Sequence, residues 1–168
     1  MSGFPSVLPA FTIKVTIDAP LSVGSASRSN PLQVVPMTGG TVTSESSFSP
    51  ALEAEFVGVG NDYIHADADG KHLRLDAHSV LKTHDGALIY VNYTGVVALS
   101  PAEKAVFAGT AGEGSTPWGN AFTHFTFETG DERYKELEHS VFVGQGRFNV
   151  QNDKSVVVEY RVGQLIHG

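Results

Sequence analysis

Asp76 and His78 stand two residues apart in a stretch that alternates apolar and polar side chains. On an extended strand both leave the same face, roughly 7 Å apart. A carboxylate beside an imidazole orients the ring and raises its basicity, which suits general acid–base work near neutral pH. Arg74 and Lys82 share that parity, so a solvated polar face is the competing reading. Tyr90 and Asn92 hold the polar parity of the next alternating stretch, and the turn Asp85-Gly86 separates the two. A hairpin there lays Tyr90 and Asn92 across from Asp76 and His78.

If those polar faces turn inward in a closed sheet, they meet His124 and Glu128 of a later strand. The catalytic candidates are then Asp76, His78, Tyr90, Glu128 and His124. His78 is the base or acid, Asp76 its orienter, and Tyr90 with Glu128 proton donors or anchors. A carboxylate at an apolar barrel mouth has a raised pKa and can serve as acid or base. The alternative for Glu128 is an exposed strand end opposing Arg133 or Lys135. The substrate-binding candidates are Tyr63, His65, Asn92, Trp118 and Phe125, with Tyr63, Trp118 and Phe125 as an aromatic wall. Tyr63, Tyr90, Tyr93 and Tyr134 can each donate a phenolic proton or bind an enolate. Each can equally pack its ring in a core with the hydroxyl at a rim. Trp118 lies in the glycine-rich stretch 109–120, where it reads either as a lid over a pocket or as a pin holding the loop to the wall.

His65, His78 and His124 with Asp76 are metal-capable residue types. No His-x-His or His-x-x-x-His pair occurs, so no tightly bound metal is expected, and no cofactor. Gly112-x-Gly114-Ser115-Thr116 lacks the lysine of a phosphate loop, and no strand–helix unit accompanies it as a dinucleotide fingerprint requires. There is no Gly-x-Ser-x-Gly nucleophile elbow.

The elements that must carry these residues are strands. Phe11, Ile13, Val15 and Ile17 alternate with Thr12, Lys14, Thr16 and Asp18. Residues 19–31 read as a loop. A strand over 32–37 leads through Gly39-Gly40 to a short one at 41–43. Residues 52–59 form another strand, and 63–66 its continuation after a turn. Leu73, Leu75, Ala77 and Leu81 give the stretch 73–83 one apolar face; Ile89, Val91, Tyr93, Val97 and Leu99 do the same for 88–99. Ser100-Pro101-Ala102-Glu103 is a capping box that starts a short helix over 101–108. A strand over 122–129, one helical turn capped by Asp131, and a hairpin of 140–150 with 155–162 complete the chain.

Eight to ten strands with hardly any helix leave no layer to cover an open sheet. The expectation is one all-β domain over 1–168, an antiparallel closed or nearly closed barrel with one or two short helical turns. The 168 residues suffice for one core without staples. There is no cysteine, which excludes disulfides and thiolate chemistry. The net charge of −7 without a basic cluster argues against nucleic acid or membrane as partners. Met1 to Pro5 shows no basic segment leading into an apolar core, and no apolar run has spanning length, so a cytoplasmic protein is expected.

Gly39-Gly40-Thr41, Gly60-x-Asp62-Tyr63, Asp76-x-His78, Thr83-x-Asp85-Gly86-Ala87-x-Ile89 and Gly95 together form a pattern. Phe127-Glu128-Thr129-Gly130-Asp131-x-Arg133-Tyr134 and Val141-Phe142-Val143-Gly144-x-Gly146 extend it. In order and spacing it resembles the family of small proteins described as domain of unknown function 3237, over most of the chain. The sequence departs from that family at Tyr63, where a tryptophan is frequent, and at His78, where an arginine is common. The resemblance implies a β-barrel similar to the allene oxide cyclase and dirigent barrels. Such barrels bind apolar small molecules and steer cyclisation or coupling without a cofactor. The expected function is therefore a cofactor-independent cyclase, isomerase or lyase for a hydrophobic or aromatic metabolite. A non-catalytic carrier or sensor is the alternative. A homodimer is a possible further partner.

Overall fold

The computed structural model describes residues 3–168. Its strands are β1 (Ser6–Ile17), β2 (Leu21–Gly24), β3 (Leu32–Ser44), β4 (Glu53–Ala66), β5 (His72–Thr83), β6 (Leu88–Ala98), β7 (Gly114–Ser115), β8 (Ala121–Thr129), β9 (Phe142–Val150) and β10 (Val156–Ile166). The helices are α1 (Pro101–Phe107) and α2 (Glu136–His139), with a 3-10 turn at Glu132–Tyr134 before α2. Antiparallel neighbours run β1-β10-β9-β8-β6-β5-β4-β3, and β3 pairs back onto β1. The result is the expected closed eight-stranded barrel, with 58% of residues in strands and 8% in helices. No helix among the described residues is long and apolar enough to cross a membrane.

Closure imposes one parity on every strand, because side chains alternate between lumen and outside. Phe11, Ile13 and Val15 of β1, Leu73, Leu75, Ala77 and Leu81 of β5, and Ile89, Val91, Tyr93 and Val97 of β6 face inward and are buried. One end is filled by Phe11, Phe48, Phe127 and Phe142; Phe11 and Phe142 touch each other and both of the other rings, with centroids 5.2–6.0 Å apart. Such tilted and edge-to-face contacts suit aromatic quadrupoles. Helix α1 covers the other end, with Phe107 against Phe148 at 5.2 Å. Its start is fixed by the expected capping box: the Ser100 hydroxyl accepts from the Ala102 N–H, and Glu103 reaches back to the Ser100 N–H at 3.2 Å.

Three local expectations change. Residues 19–31 are not all loop. β2 continues the wall of β1 past a bend and pairs with the first residues of β3. β3 runs unbroken through Gly39-Gly40, where Gly40 (φ 145°) lies too close to the Lys14 carbonyl to carry a side chain. Residues 53–66 form one strand, not two with a turn between. Phe56 pairs with Leu81 and Gly60 with Ser79, so 57–59 bulge opposite Val80. The bulge adds an even number of residues, so the inward parity survives it.

Gly60 is what lets β4 stay paired across that bulge. Its φ is 152°, and a Cβ there would lie 2.1 Å from the His78 carbonyl oxygen. Gly70, in the β4–β5 turn, has φ 69° but open space around it. The Gly60→Ala variant is expected to lose about 3 kcal/mol of stability by strain plus backbone displacement, and Gly70→Ala about 1 kcal/mol. Urea unfolding of the two variants checks this; equal losses would refute the close-approach account.

Candidate functional site

Across the middle of the barrel, Val35, Asp62, Ala77, Tyr93 and Phe125 are successive register partners on β3, β4, β5, β6 and β8. All five point inward and are buried. Only the methyl of Ala77 separates Asp62 from Tyr93 in that row, so the carboxyl and the phenol sit on either side of a small residue. Tyr160 of β10 joins them from the facing wall. Its ring centroid lies 5.2 Å from Tyr93 and 5.5 Å from Phe125. Gly146, its register partner, makes this possible, because a Cβ there would come within 2.6 Å of the Tyr160 ring.

Asp62 is only 7% exposed. Its Oδ1 accepts the Asp76 backbone N–H at 3.0 Å, and no cationic side chain pairs with it among the described residues. Burial disfavours the charged form, and the nearby Asp76 charge adds to that. Together they raise the Asp62 carboxyl from 3.8 to about 7, against the lowering effect of the single N–H bond. Burial likewise raises the Tyr93 and Tyr160 phenols, and the Asp62 charge adds to both. Nearby on β8, the Thr123 hydroxyl is buried without a hydrogen-bond partner, the one such side-chain atom among the described residues. The lumen therefore holds a carboxyl poised between its two protonation states near neutral pH, and two neutral phenols that interact with each other.

The stripe expected to form the site lies on the other side of the wall. Because Leu73, Leu75 and Ala77 face inward, Asp76 and His78 must face out, and their side chains are 53% and 41% exposed. The condition under which this stripe would line the lumen is thus not met: the parity of closure turns it to the solvated outer face. The residues do come together there. His78 Nε2 lies 2.8 Å from Asp76 Oδ1, and His78 Nδ1 lies 2.5 Å from the Tyr90 hydroxyl. Asn92 donates to Asp76 Oδ1 at 3.1 Å and to the Ala77 carbonyl at 2.9 Å. Tyr63 stands edge-on to the His78 ring at 6.3 Å. Glu128 is the register partner of Tyr90, and its charge, after partial burial, helps raise that phenol.

The other candidates are dispersed. His124 is on the outer face of β8 opposite Thr94, and His65 near the end of β4 opposite Leu32 and Arg74. Trp118 stacks on the Arg147 guanidinium at 4.5 Å. Arg147 in turn binds Glu159 on the outer wall, so Trp118 pins its loop. Phe125 is the sole member of the expected aromatic wall that lines the lumen, where it is fully buried.

Asp62 and Tyr160 escape a reading of the sequence for polar stripes because they sit on apolar ones. Tyr160 shares parity with Val158 and Val162, and Asp62 with Ile64. Gly58 and Gly60 give the segment around Asp62 the look of a turn. A carboxylate in phase with buried neighbours is the signal that marks it. For a metal, the group with suitable spacing among the described residues is Asp67, Asp69 and His72, with ligand atoms within 4.8 Å of one another. Asp67 is already committed to Arg74 through bonds of 3.0 and 2.8 Å.

The model of the family described as "Protein of unknown function (DUF3237)" matches residues 5–165. The chain belongs to this family. A relative from Clostridium acetobutylicum named as a UPF0311 protein is 28% identical over 136 residues, covering 79% of this chain and 80% of the relative. A conserved protein of unknown function from Rhodopseudomonas palustris has a similar structure, with TM-score 0.79, 22% identity, and coverage of 97% and 99%. A structure described as an enzyme from Penicillium herquei superposes with TM-score 0.59 and 20% identity over 94% of each chain. These likenesses confirm the barrel and the family resemblance.

The raised Asp62 carboxyl has a direct consequence for stability. In the unfolded chain it titrates near 3.8, and in the folded protein near 7. Between those values the folded state holds the extra proton, so stability falls as pH rises from about 4 to about 7, by roughly 4 kcal/mol from this group, and levels off above. The Asp62→Asn variant keeps an acceptor for the Asp76 N–H and removes the ionisation. Urea unfolding is expected to find it more stable than the parent at about pH 8 and little different at about pH 4. A difference that does not change with pH would contradict the assignment.

Proposed function

We propose that the protein is a cofactor-independent small-molecule enzyme that moves one proton in a cyclisation, isomerisation or elimination of a hydrophobic or aromatic substrate. One observation carries this reading: Asp62 is buried in an apolar lumen without a cation beside two neutral phenols. A buried ionisable carboxyl costs stability, and perturbed titratable groups that converge in an apolar interior are candidates for acid–base work. Asp62 would take or give the proton. Tyr93 and Tyr160 would donate to oxygen that gains negative charge, and the lumen walls would hold the substrate in its reactive conformer.

Entry would be from the α1 end. Ala66 and Leu73 line a cavity there, and Asp62 lies four residues deeper along β4, roughly 13 Å at strand rise. The fold likeness to a protein described as an enzyme is consistent with this reading. The cavity alone would serve a carrier equally well, which keeps a binding barrel as the second reading.

The test is incubation with a panel of hydrophobic and aromatic small molecules that carry an ionisable or eliminable group, followed by chromatography and mass spectrometry. The expected outcome is an isomer or a dehydrated product, with a rate that changes around pH 7 and falls at least about a hundredfold in the Asp62→Asn variant. Equal conversion by that variant would overturn the role of Asp62. Saturable binding without conversion would favour the carrier.

A further inference from the structure

The cavity at the helix-capped end has a chemical character of its own. It measures about 280 Å³ and lies between α1, the β2–β3 hairpin and the ends of β4, β5 and β6. Pro31, Leu32, Ala66, Leu73, Leu99 and Phe107 make its walls apolar. Among its lining residues Lys104 is the one that carries a charge. Ser22 and Gln33 add neutral polar groups on the hairpin side.

Lys104 and Phe107 are three residues apart on α1, so they share one face of the helix. Phe107 contributes a flat wall and Lys104 an ammonium on a flexible apolar stem. The adjacent acid is not available to neutralise it. Glu103 is buried and held by the Ser100 hydroxyl and by Asn120 Nδ2 at 3.0 Å. No acidic side chain pairs with Lys104 among the described residues; its backbone takes part only in the helix bonds to Ser100 and Ala108. The chain as a whole carries −7, so this ammonium beside an apolar cavity stands against the general sign of the protein.

We propose that this cavity binds a small apolar anion — a flat carboxylate, sulfonate or phenolate — with its hydrocarbon body against Leu73, Leu99 and Phe107 and its anionic group on Lys104. The inference deepens the small-molecule reading above, on which it rests, by naming the ligand class at the mouth. It requires nothing of Asp62. The apolar walls supply most of the affinity, because burial of flat hydrocarbon needs no partner of its own. The ammonium at the rim supplies discrimination. An exposed ion pair contributes modestly and is screened by salt, so its loss weakens the anion a few-fold and leaves a neutral ligand unaffected.

Two fluorescent probes with nearly the same hydrocarbon frame separate these contributions. Anilinonaphthalene sulfonate carries the charge and phenylnaphthylamine lacks it. The parent protein is expected to bind both saturably, with naphthoate displacing each. The Lys104→Gln variant, changed at an exposed position, is expected to bind the sulfonate about fivefold more weakly and the neutral amine unchanged, and its sulfonate affinity should lose most of its dependence on salt. Probe binding is read without turnover and Asp62 does not line this cavity, so a failure of the catalytic reading leaves this result intact. Absence of saturable binding, or sulfonate affinity unchanged in Lys104→Gln, would overturn the proposal. Equal weakening of both probes would also overturn it, because it would mean that Lys104 acts through the shape of α1 and not through its charge.

Discussion

The pairing of β3 with β1 is the constraint on which everything else depends. It closes the sheet, and a closed antiparallel sheet permits one inward parity around the whole ring. The parity decides the fate of every polar residue at once. A shift of one residue on β5 would bury Asp76 and His78 and expose Leu75 and Ala77. Strands whose apolar face is this continuous have no such freedom. The bulge at 57–59 adds an even number of residues to β4, so it bends the wall without inverting it.

The same constraint produces two clusters that share a wall. Outside, Asp76, His78 and Tyr90 form a solvent-facing chain of short polar contacts. Inside, Asp62, Tyr93 and Tyr160 meet among aromatic walls. Asp76 belongs to both, since its N–H holds Asp62 and its carboxylate holds His78. The clusters differ in how far their surroundings exclude water. Asp76 and His78 are about half exposed, and Asp62 is buried, which holds its carboxyl far above the ordinary titration range.

Much of the architecture was legible in the sequence because period-two alternation and Asp-Gly turns are local signals. The apolar faces of 73–83 and 88–99, the capping box at Ser100 and the turn capped by Asp131 all stand where alternation and capping chemistry put them. The grouping of Asp76, His78, Tyr90 and Asn92 was legible for the same reason, since a hairpin fixes its own register. Which side of the barrel they face was also implicit in the apolar parity of Leu73 to Leu81. Asp62 and Tyr160 were hidden because a single polar residue on an apolar stripe has meaning only once that stripe is known to line a lumen. The continuity of β4 through Gly58 and Gly60 depends on backbone approach to β5, which no local pattern encodes.

The barrel keeps one carboxyl, that of Asp62, from ionising until neutral pH. Carbon-detected nuclear magnetic resonance of the aspartate side-chain carboxyls, with Asp62 assigned by its absence in the Asp62→Asn variant, reads that group directly. The expected result is a titration midpoint near 7 for Asp62 in the folded protein. A midpoint near the ordinary carboxylate value of about 4 would mean that the lumen solvates the charge, and the barrel would lose its candidate acid–base group.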